Sequence, residues 1–183
     1  TGVLVMAAFT VIDHTELTGN ANYWEETSIP SSYDHLMLEL SVRADTAATY
    51  FQYPKLQVGN GSVDTGTNYS STELQAASTT PASNRSSSAA QIQYIYHPGA
   101  SILADTFSSA TIWIPNYANT SNYKQVLAQS AVENNSTTTN QFVVALCAGL
   151  WSSTAAIDTI RLTAWSNNFI QYSTFTLYGV TGA

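Results

Sequence analysis

The sequence predicts an all-β protein, a β-sandwich with a jelly-roll-like topology. Short segments in which apolar and polar residues alternate recur along the chain, and a period of two is typical of a strand with one buried face. Segments rich in Ser, Thr, Asn, Gly and Pro separate them, and no long segment has the period of a helix. About ten short strands favour a sandwich or barrel, and the jelly roll accommodates many short strands together with long loops.

Composition points to the same fold class. Ser and Thr together make up about a quarter of the 183 residues. Charged residues make up only 9%, whereas a typical domain has about 25%. Lys, Arg and Glu are scarce and Thr, Val, Ile and Tyr are plentiful, which favours strands over helices. A chain of this length is predicted to form one domain, residues 1–183.

The strands can be assigned in order from alternation and turn signals. The predicted strands are residues 3–13, 22–28, 36–43, 49–58, 91–97, 107–115, 123–133, 142–150, 159–164 and 174–180. The clearest of them is residues 36–43, where four aliphatic side chains at the even positions alternate with Met37, Glu39, Ser41 and Arg43 at the odd positions. The face with the four aliphatic side chains must therefore be buried. Pro54 cannot donate a ladder hydrogen bond, which predicts an edge position or a bulge within residues 49–58.

Two stretches depart from this pattern. Residues 1–14 are apolar with an Ala-rich middle, which suits a docking or inter-subunit strand. They lack the basic start of a signal peptide and the length of a membrane span, so no membrane insertion is expected. Residues 59–90 are polar with few apolar anchors, and they are predicted to form a long loop insert, with a short helix at residues 71–77 as an alternative.

Charge and cysteine usage exclude several functions. The formal net charge is −7, and the fixed cations are Lys55, Lys124, Arg43, Arg85 and Arg161. Five scattered cations cannot line a groove that follows phosphates, so neither nucleic-acid binding nor binding to an anionic membrane is expected. Cys147 is the single cysteine and lies in an apolar run, which predicts a small buried side chain and excludes an intrachain disulfide.

The sequence contains no evident catalytic constellation. The histidines are His14, His35 and His97, and the first two each follow an aspartate. Adjacent residues in a strand face opposite sides, so neither Asp-His pair can act together directly. Glu25 and Glu26 fail as a glycosidase pair for the same reason. We therefore expect a protein that is not an enzyme.

The possible metal ligands are loop carboxylates and not a histidine motif. No two histidines have the spacing of a compact metal site. The carboxylates in or near predicted loops are Asp45, Asp64, Asp105 and Asp158. Calcium accepts such ligands, but no D-x-D-x-D loop is present, so we expect neither a metal nor a cofactor.

Aromatic residues near Asn-rich loops are candidates for a glycan site or a subunit interface. They are Tyr23, Trp24, Trp113, Tyr117, Trp151 and Trp165. Sugar sites combine aromatic platforms with amide and hydroxyl hydrogen bonds, because the apolar sugar face stacks while the hydroxyls need fixed partners. Packing in the core is the competing explanation for the same residues.

Residues 149–180 form a distinctive block, GLWSSTAAIDTIRLTAWSNNFIQYSTFTLYGV, preceded by NTSNYKQVLAQSAVENN at residues 119–135. Its Tyr123-Lys124 strand, the GLW and TAAI elements and the terminal YSTFTLYGV resemble a domain of tailed-phage structural proteins. Ile29-Pro30 and the YDHL segment at residues 33–36 are similar as well. The resemblance implies a β-sandwich virion component, such as a capsid decoration protein or a module of a head or tail fibre, and it implies no active site.

These observations predict a non-enzymatic structural protein on the exterior of a phage virion. Its partners would be other capsid or tail proteins and further copies of itself, with a trimer as the hypothesis for the homo-oligomer. The alternative is a carbohydrate-binding module of a tail fibre or spike that recognises a host surface glycan.

Overall fold

Thirteen strands and no helix form the regular structure of residues 8–47, 50–138 and 141–182, the parts of the chain that the computed structural model describes. The all-β prediction is confirmed, with more strands than the ten or so expected. The strands are β1 (Ala8–Glu16), β2 (Tyr23–Glu26), β3 (His35–Ser41), β4 (Phe51–Gln52), β5 (Lys55–Gly59), β6 (Tyr69–Ala77), β7 (Thr80–Ala89), β8 (His97–Pro98), β9 (Ser109–Pro115), β10 (Lys124–Val132), β11 (Val143–Trp151), β12 (Thr159–Thr163) and β13 (Thr174–Thr181). Within these described ranges, no helix is long and apolar enough to cross a membrane.

The strands form one large sheet, one small sheet and a separate two-stranded pair. The large sheet has eight antiparallel strands in the order β1-β13-β3-β9-β10-β11-β6-β7. The small sheet has three in the order β2-β12-β5, and β4 and β8 pair separately. Strands that are far apart in sequence are therefore neighbours in both sheets.

The core lies between the large and small sheets, which makes the fold a β-sandwich. In β3 the side chains of Leu36, Leu38 and Leu40 are buried, as the alternation predicts. From the small sheet, Leu162 joins the same hydrophobic cluster. Trp24 of β2 is also in it, and its ring stacks on Phe175 of β13 at a centroid distance of 5.4 Å, linking the two sheets. Aromatic pairs of this kind add about 1 kcal/mol to the burial of their area.

The prediction of a long loop at residues 59–90 is wrong over most of its length, and so is the alternative helix. Residues 69–89 form the hairpin of β6 and β7, which extends the large sheet at one edge. β7 is almost entirely exposed and has no apolar side chain larger than Ala or Pro81, so alternation could not reveal it. Its backbone pairing with β6 determines the structure instead. Pro81 and Arg85 on this edge discourage pairing with another strand.

The strand predicted at residues 91–97 is mostly irregular. Ile92 makes a single bridge to Leu56, and only His97 enters a regular strand. Tyr94 has a φ of 72°, which breaks the alternation, and Tyr96 and His97 are then buried consecutively. The interruption predicted at Pro54 is present, since it separates β4 from β5.

The predicted docking segment, residues 1–14, lies partly outside the described residues. Residues 8–14 belong to β1, which pairs with β13 on one side and is the last strand of the large sheet. Phe9 is 56% exposed, and the register shifts between Val11 and Asp13, which places a bulge in the edge strand. The docking role of this segment stays a prediction.

Candidate functional site

Three of the six candidate aromatic residues belong to the core, which corrects their assignment to a glycan or interface site. Trp24, Tyr117 and Trp151 are at most 5% exposed. The Trp24 indole Nε1 donates to Asp13 Oδ2 at 3.1 Å, and the Tyr117 hydroxyl donates to the carbonyl of Pro30. Buried aromatic residues with a polar atom are stable when that atom has a partner, and these three are therefore structural.

Trp151 is held by a hydrogen-bond centre at Asp64. The indole Nε1 donates to Asp64 Oδ2 at 2.8 Å, as does the side-chain amide of Asn68, while the backbone N–H of Gly66 donates to Oδ1. Burial raises the pKa of Asp64, but the hydrogen bonds from Trp151, Asn68 and Gly66 together lower it by more than burial raises it, so the pKa lies below its usual value. This carboxylate, one of the candidate calcium ligands, is used to fix the loop before β6.

Carboxylates elsewhere in the described chain serve similar internal roles. Asp45 Oδ1 accepts the backbone N–H of Asn168 at 2.8 Å, and Asp158 Oδ1 accepts that of Gly61 at 2.7 Å. Across residues 8–47, 50–138 and 141–182, no three His, Cys, Asp or Glu side chains are grouped so that they could hold a metal ion.

A buried polar cluster lies on the inner face of β6 and β11. Glu73 is 2% exposed and accepts hydrogen bonds from the Tyr96 hydroxyl at 3.0 Å and from the Asn84 amide at 2.5 Å. Burial raises the pKa of Glu73 more than these hydrogen bonds lower it. Cys147 is paired with Glu73 in the sheet, and burial raises its thiol pKa to about 12. The prediction that Cys147 is buried is confirmed. Glu73, Tyr96 and Cys147 are buried, and Asn84 reaches Glu73 from the exposed edge strand β7.

The other three candidate aromatic residues are accessible, and they lie on two separate surfaces. Trp113 lies on the outer face of the large sheet, where its ring is 5.0 Å from that of His35. Tyr23 and Trp165 lie at the outer face of the small sheet and are 50% and 37% exposed.

The outer face of the large sheet contains a wide region without ionisable side chains, here called the uncharged face. It consists of the outward residues of β9, β10, β11 and β6, which are Ser109, Thr111, Trp113, Gln125, Leu127, Gln129, Ala131, Val144, Leu146, Ala148, Leu150, Ser70, Thr72, Leu74 and Ala76. Its apolar centre is Leu74 opposite Leu146, with Val144 beside them, and these three are 44–61% exposed. They line a shallow concavity of about 690 Å³.

Charges appear only at the rims of the uncharged face. Glu39 of β3 points outward beside β9, where its Oε1 accepts the Thr111 hydroxyl at 2.8 Å. Arg85 of β7 points outward beside β6, where it donates to the Thr72 hydroxyl at 3.0 Å. One rim is therefore acidic and the other basic.

The outer face of the small sheet, here called the small-sheet face, has a different chemistry. It consists of Tyr23, Glu25, Arg161, Thr163, Lys55 and Gln57, with Trp165 just beyond β12. The Arg161 guanidinium donates to Glu25 Oε2 from Nε at 3.0 Å and from Nη2 at 2.7 Å, and its carbon lies 5.0 Å from the Tyr23 ring centroid. Lys55 Nζ lies 5.3 Å from the Trp165 ring centroid.

Sequence reasoning identified the two aromatic residues of the small-sheet face but not their polar neighbours. Alternation in residues 159–164 did place Arg161 and Thr163 together on one side of a strand. Their pairing with β2 and β5 joins segments about a hundred residues or more apart, and no local pattern indicates it.

No protein-family model, curated protein sequence or solved structure matches this chain. Its function must therefore be inferred from the two exposed faces.

Proposed function

We propose that this protein is a non-enzymatic structural component of a phage particle exterior that assembles with a second copy of itself through the uncharged face. The observation that carries the proposal is the exposed apolar centre at Leu74, Val144 and Leu146, surrounded by amides and hydroxyls and free of ionisable groups. An exposed apolar patch rimmed by polar residues is typical of an interaction site.

Net charge favours this face as the contact between copies. Each copy carries a formal charge of −7, so two copies repel each other over most of their surface. Burying an unpaired charge in an interface costs several kcal/mol. The uncharged face lets two copies meet without that cost.

The rims of the uncharged face are complementary to each other under two-fold symmetry. Consider two copies whose large sheets pack face to face, related by a two-fold axis that is parallel to the strands. If the axis lies midway between the two large sheets and passes between β10 and β11, β3 of one copy lies over β7 of the other. Glu39 of each copy then faces the segment of β7 that contains Arg85 of its partner, within one row of side chains. A two-fold interface repeats this contact twice.

The available area suits a stable dimer. Together with its two rims, the face spans six strands of the large sheet, which are β3, β9, β10, β11, β6 and β7 in sheet order. With a spacing of about 4.8 Å between strands and about nine residues per strand at about 3.3 Å each, they cover roughly 850 Å². A standard interface buries about 800 Å² from each partner. Packing by these like faces gives a dimer, whereas the trimer hypothesised from the sequence would need a different contact.

The virion context of the proposal rests on sequence and topology. The resemblance of residues 149–180 to tailed-phage structural proteins supports it. We also propose a jelly roll, because β1, β13, β3 and β9 are neighbours in one sheet while β2, β12 and β5 are neighbours in the other, with two hairpins added to the larger sheet. Jelly rolls occur in viral capsid and lectin domains, which is a likeness of fold alone.

Substitution of Leu146 by Glu, or of Leu74 by Glu, is expected to raise the dissociation constant of the dimer at least about 100-fold. The reason is that a carboxylate would be buried without a partner in the contact. Both leucines are exposed within one chain, so folding should be unaffected. Sedimentation velocity over a concentration series measures the effect, and Leu103→Glu is the control, since Leu103 is 63% exposed on a loop outside the uncharged face.

Charge reversal tests the symmetry of the contact. Glu39→Arg or Arg85→Glu alone should weaken the dimer, and the double variant should restore it, since each reversed charge again meets its opposite. A monomer at all concentrations, or an oligomer that none of these changes weakens, contradicts the proposed contact. Mass spectrometry of purified capsids and of purified tails tests the virion location, and absence from both contradicts it.

A further inference from the structure

We propose that the small-sheet face binds a sugar that carries a carboxylate, such as a sialylated or uronic-acid glycan. The inference is independent of the proposed dimer, because the small sheet and the uncharged face lie on opposite sides of the sandwich. Four features of the face carry it: a held aromatic ring, a cation without an acidic partner in the described part of the chain, fixed hydrogen-bonding groups and the spacing between them.

Tyr23 supplies the stacking platform. Arg161 lies against its ring at 5.0 Å and is itself fixed by two hydrogen bonds to Glu25. The ring is thereby held in place at little further entropic cost, while half of the side chain remains exposed. An exposed, oriented aromatic ring can stack on the apolar face of a pyranose.

Lys55 supplies the charge that selects an acidic sugar. Within residues 8–47, 50–138 and 141–182 the structure has one ion pair, Arg161 with Glu25, so the Lys55 ammonium has no carboxylate within 4.0 Å. Its contact is the Trp165 ring at 5.3 Å, and Trp165 remains 37% exposed. On a protein with a net charge of −7, an ammonium without an acidic partner is available for a charge-assisted hydrogen bond to a ligand carboxylate.

The spacing fits one or two sugar rings. Thr163 lies directly between Tyr23 and Lys55 in the sheet, so the backbone positions that carry the platform and the cation are two interstrand spacings apart, about 10 Å. The Thr163 hydroxyl lies between them. Gln57 donates its Nε2 to the carbonyl of Ala90 at 3.0 Å, which fixes the amide and leaves its oxygen as an acceptor for a sugar hydroxyl.

A titration with 3′-sialyllactose, trigalacturonate and neutral lactose, followed by the indole N–H signals of the ¹⁵N-labelled protein, tests the inference. Either acidic sugar is expected to shift the signal of Trp165. The indoles of Trp24 and Trp151 are buried and bonded to Asp13 and Asp64, and Trp113 is on the other sheet, so these three signals should not move. Lactose should bind at least about 10-fold more weakly, since it lacks the carboxylate.

Variants separate a specific site from a general effect. Lys55→Gln should weaken binding of the acidic sugar at least about 10-fold and remove most of its salt dependence, and Tyr23→Ala should weaken it to a similar degree. Tyr123→Ala, which changes an aromatic residue that is 57% exposed outside both faces, should have no effect. The inference fails if no acidic sugar shifts Trp165, if lactose binds equally well, or if Tyr123→Ala weakens binding as much as Tyr23→Ala does. If an acidic peptide shifts Trp165 and the sugars do not, the ligand class is wrong.

Discussion

Replacement of Arg43 by methionine is expected to lower the free energy of unfolding by about 3–5 kcal/mol, because it leaves several buried carbonyl groups without donors. Arg43 is 7% exposed and lies just after β3. Its Nη1 donates to the carbonyls of Leu103 at 2.8 Å and Thr106 at 3.0 Å, and its Nη2 donates to those of Ile102 at 3.1 Å and Ala100 at 3.5 Å. One side chain thus holds the whole loop before β9.

The guanidinium remains charged in this environment. Burial lowers the pKa of Arg43, and the charge of Asp105 partly offsets this, but an arginine pKa starts above about 12. The several fixed donors of the guanidinium match carbonyls in different directions, whereas a lysine offers one compact ammonium. Arg43→Lys should therefore lose about half of the stability that Arg43→Met loses, since it keeps the charge but reaches fewer carbonyls.

Thermal and urea unfolding measure these effects. For a domain of this size, the loss expected for Arg43→Met corresponds to a decrease in Tm of about 10–15 °C. Arg85→Met is the matched control, because Arg85 is exposed within one chain and donates to a single threonine hydroxyl. Both variants are compared at concentrations at which the protein is monomeric, so that the contact proposed at Arg85 does not contribute. It should change stability by less than about 0.5 kcal/mol. Equal effects of the two substitutions would show that the loop carbonyls do not depend on Arg43.

Arg43 also illustrates where local pattern stops predicting the fold. Alternation assigned β3 correctly as far as Ser41 and placed Arg43 with the outward residues, but the chain leaves the strand there and the side chain turns inward. The carbonyls that it contacts are about sixty residues away in sequence. A pattern with a period of two describes a continuing strand and holds no information on a partner outside it.

The hairpin of β6 and β7 was missed for a related physical reason. Predicting a strand from sequence depends on an apolar face, and β7 has none, since it lies at the edge of the sheet with both faces in solvent. On β6 the inward positions include Ser71 and Glu73, which are buried yet polar. Glu73 is compatible with burial only because Tyr96 and Asn84 donate to it, and neither contact can be predicted from nearby sequence.

For the candidate site, the sequence identified the aromatic residues, but it did not show which of them are buried in the core and which are exposed. Trp24 and Tyr23 are neighbours in β2, and alternation implies that they face opposite sides, but not which one faces the core. That choice depends on Phe175, which stacks on Trp24 from the other sheet. That Lys55 and Arg161 lie on the same face could not be predicted either, because that face is built from three strands that are far apart in sequence.

Acidification from pH 7 to pH 4 is expected to reduce the stability of the folded protein by about 3 kcal/mol through His97 alone. The side chain is completely buried, it packs against the ring of Phe169 at 5.7 Å, and its Nε2 has no hydrogen-bond partner among the described residues. Burial lowers the pKa of His97 to about 4, and the contact of Nδ1 with the carbonyl of Pro98 raises it only partly.

The sign follows from proton binding. In the unfolded chain, a histidine takes up its proton near pH 6.5, while the folded chain resists this until about pH 4. Between these values the unfolded state binds more protons, so stability falls as the pH falls, and the loss levels off only below about pH 4. Two carboxylates act differently. Because the pKa of Asp64 is lowered, the stability that Asp64 contributes is also lost as the pH falls, but at lower pH than the contribution of His97. Because the pKa of Glu73 is raised, its contribution has the opposite sign, and stability is lost as the pH rises.

His97→Phe isolates this contribution, since phenylalanine keeps the ring contact with Phe169 and cannot titrate. The free energy of unfolding is measured with urea at intervals from pH 7.5 to pH 4. Over this range the variant should lose about 3 kcal/mol less than the wild type. His14→Gln, which replaces a histidine that is exposed on β1, is the matched control. If His97→Phe loses as much stability as the wild type over this range, the buried imidazole is not the group that acid protonates on unfolding, and the acidic loss must be assigned to carboxylates instead.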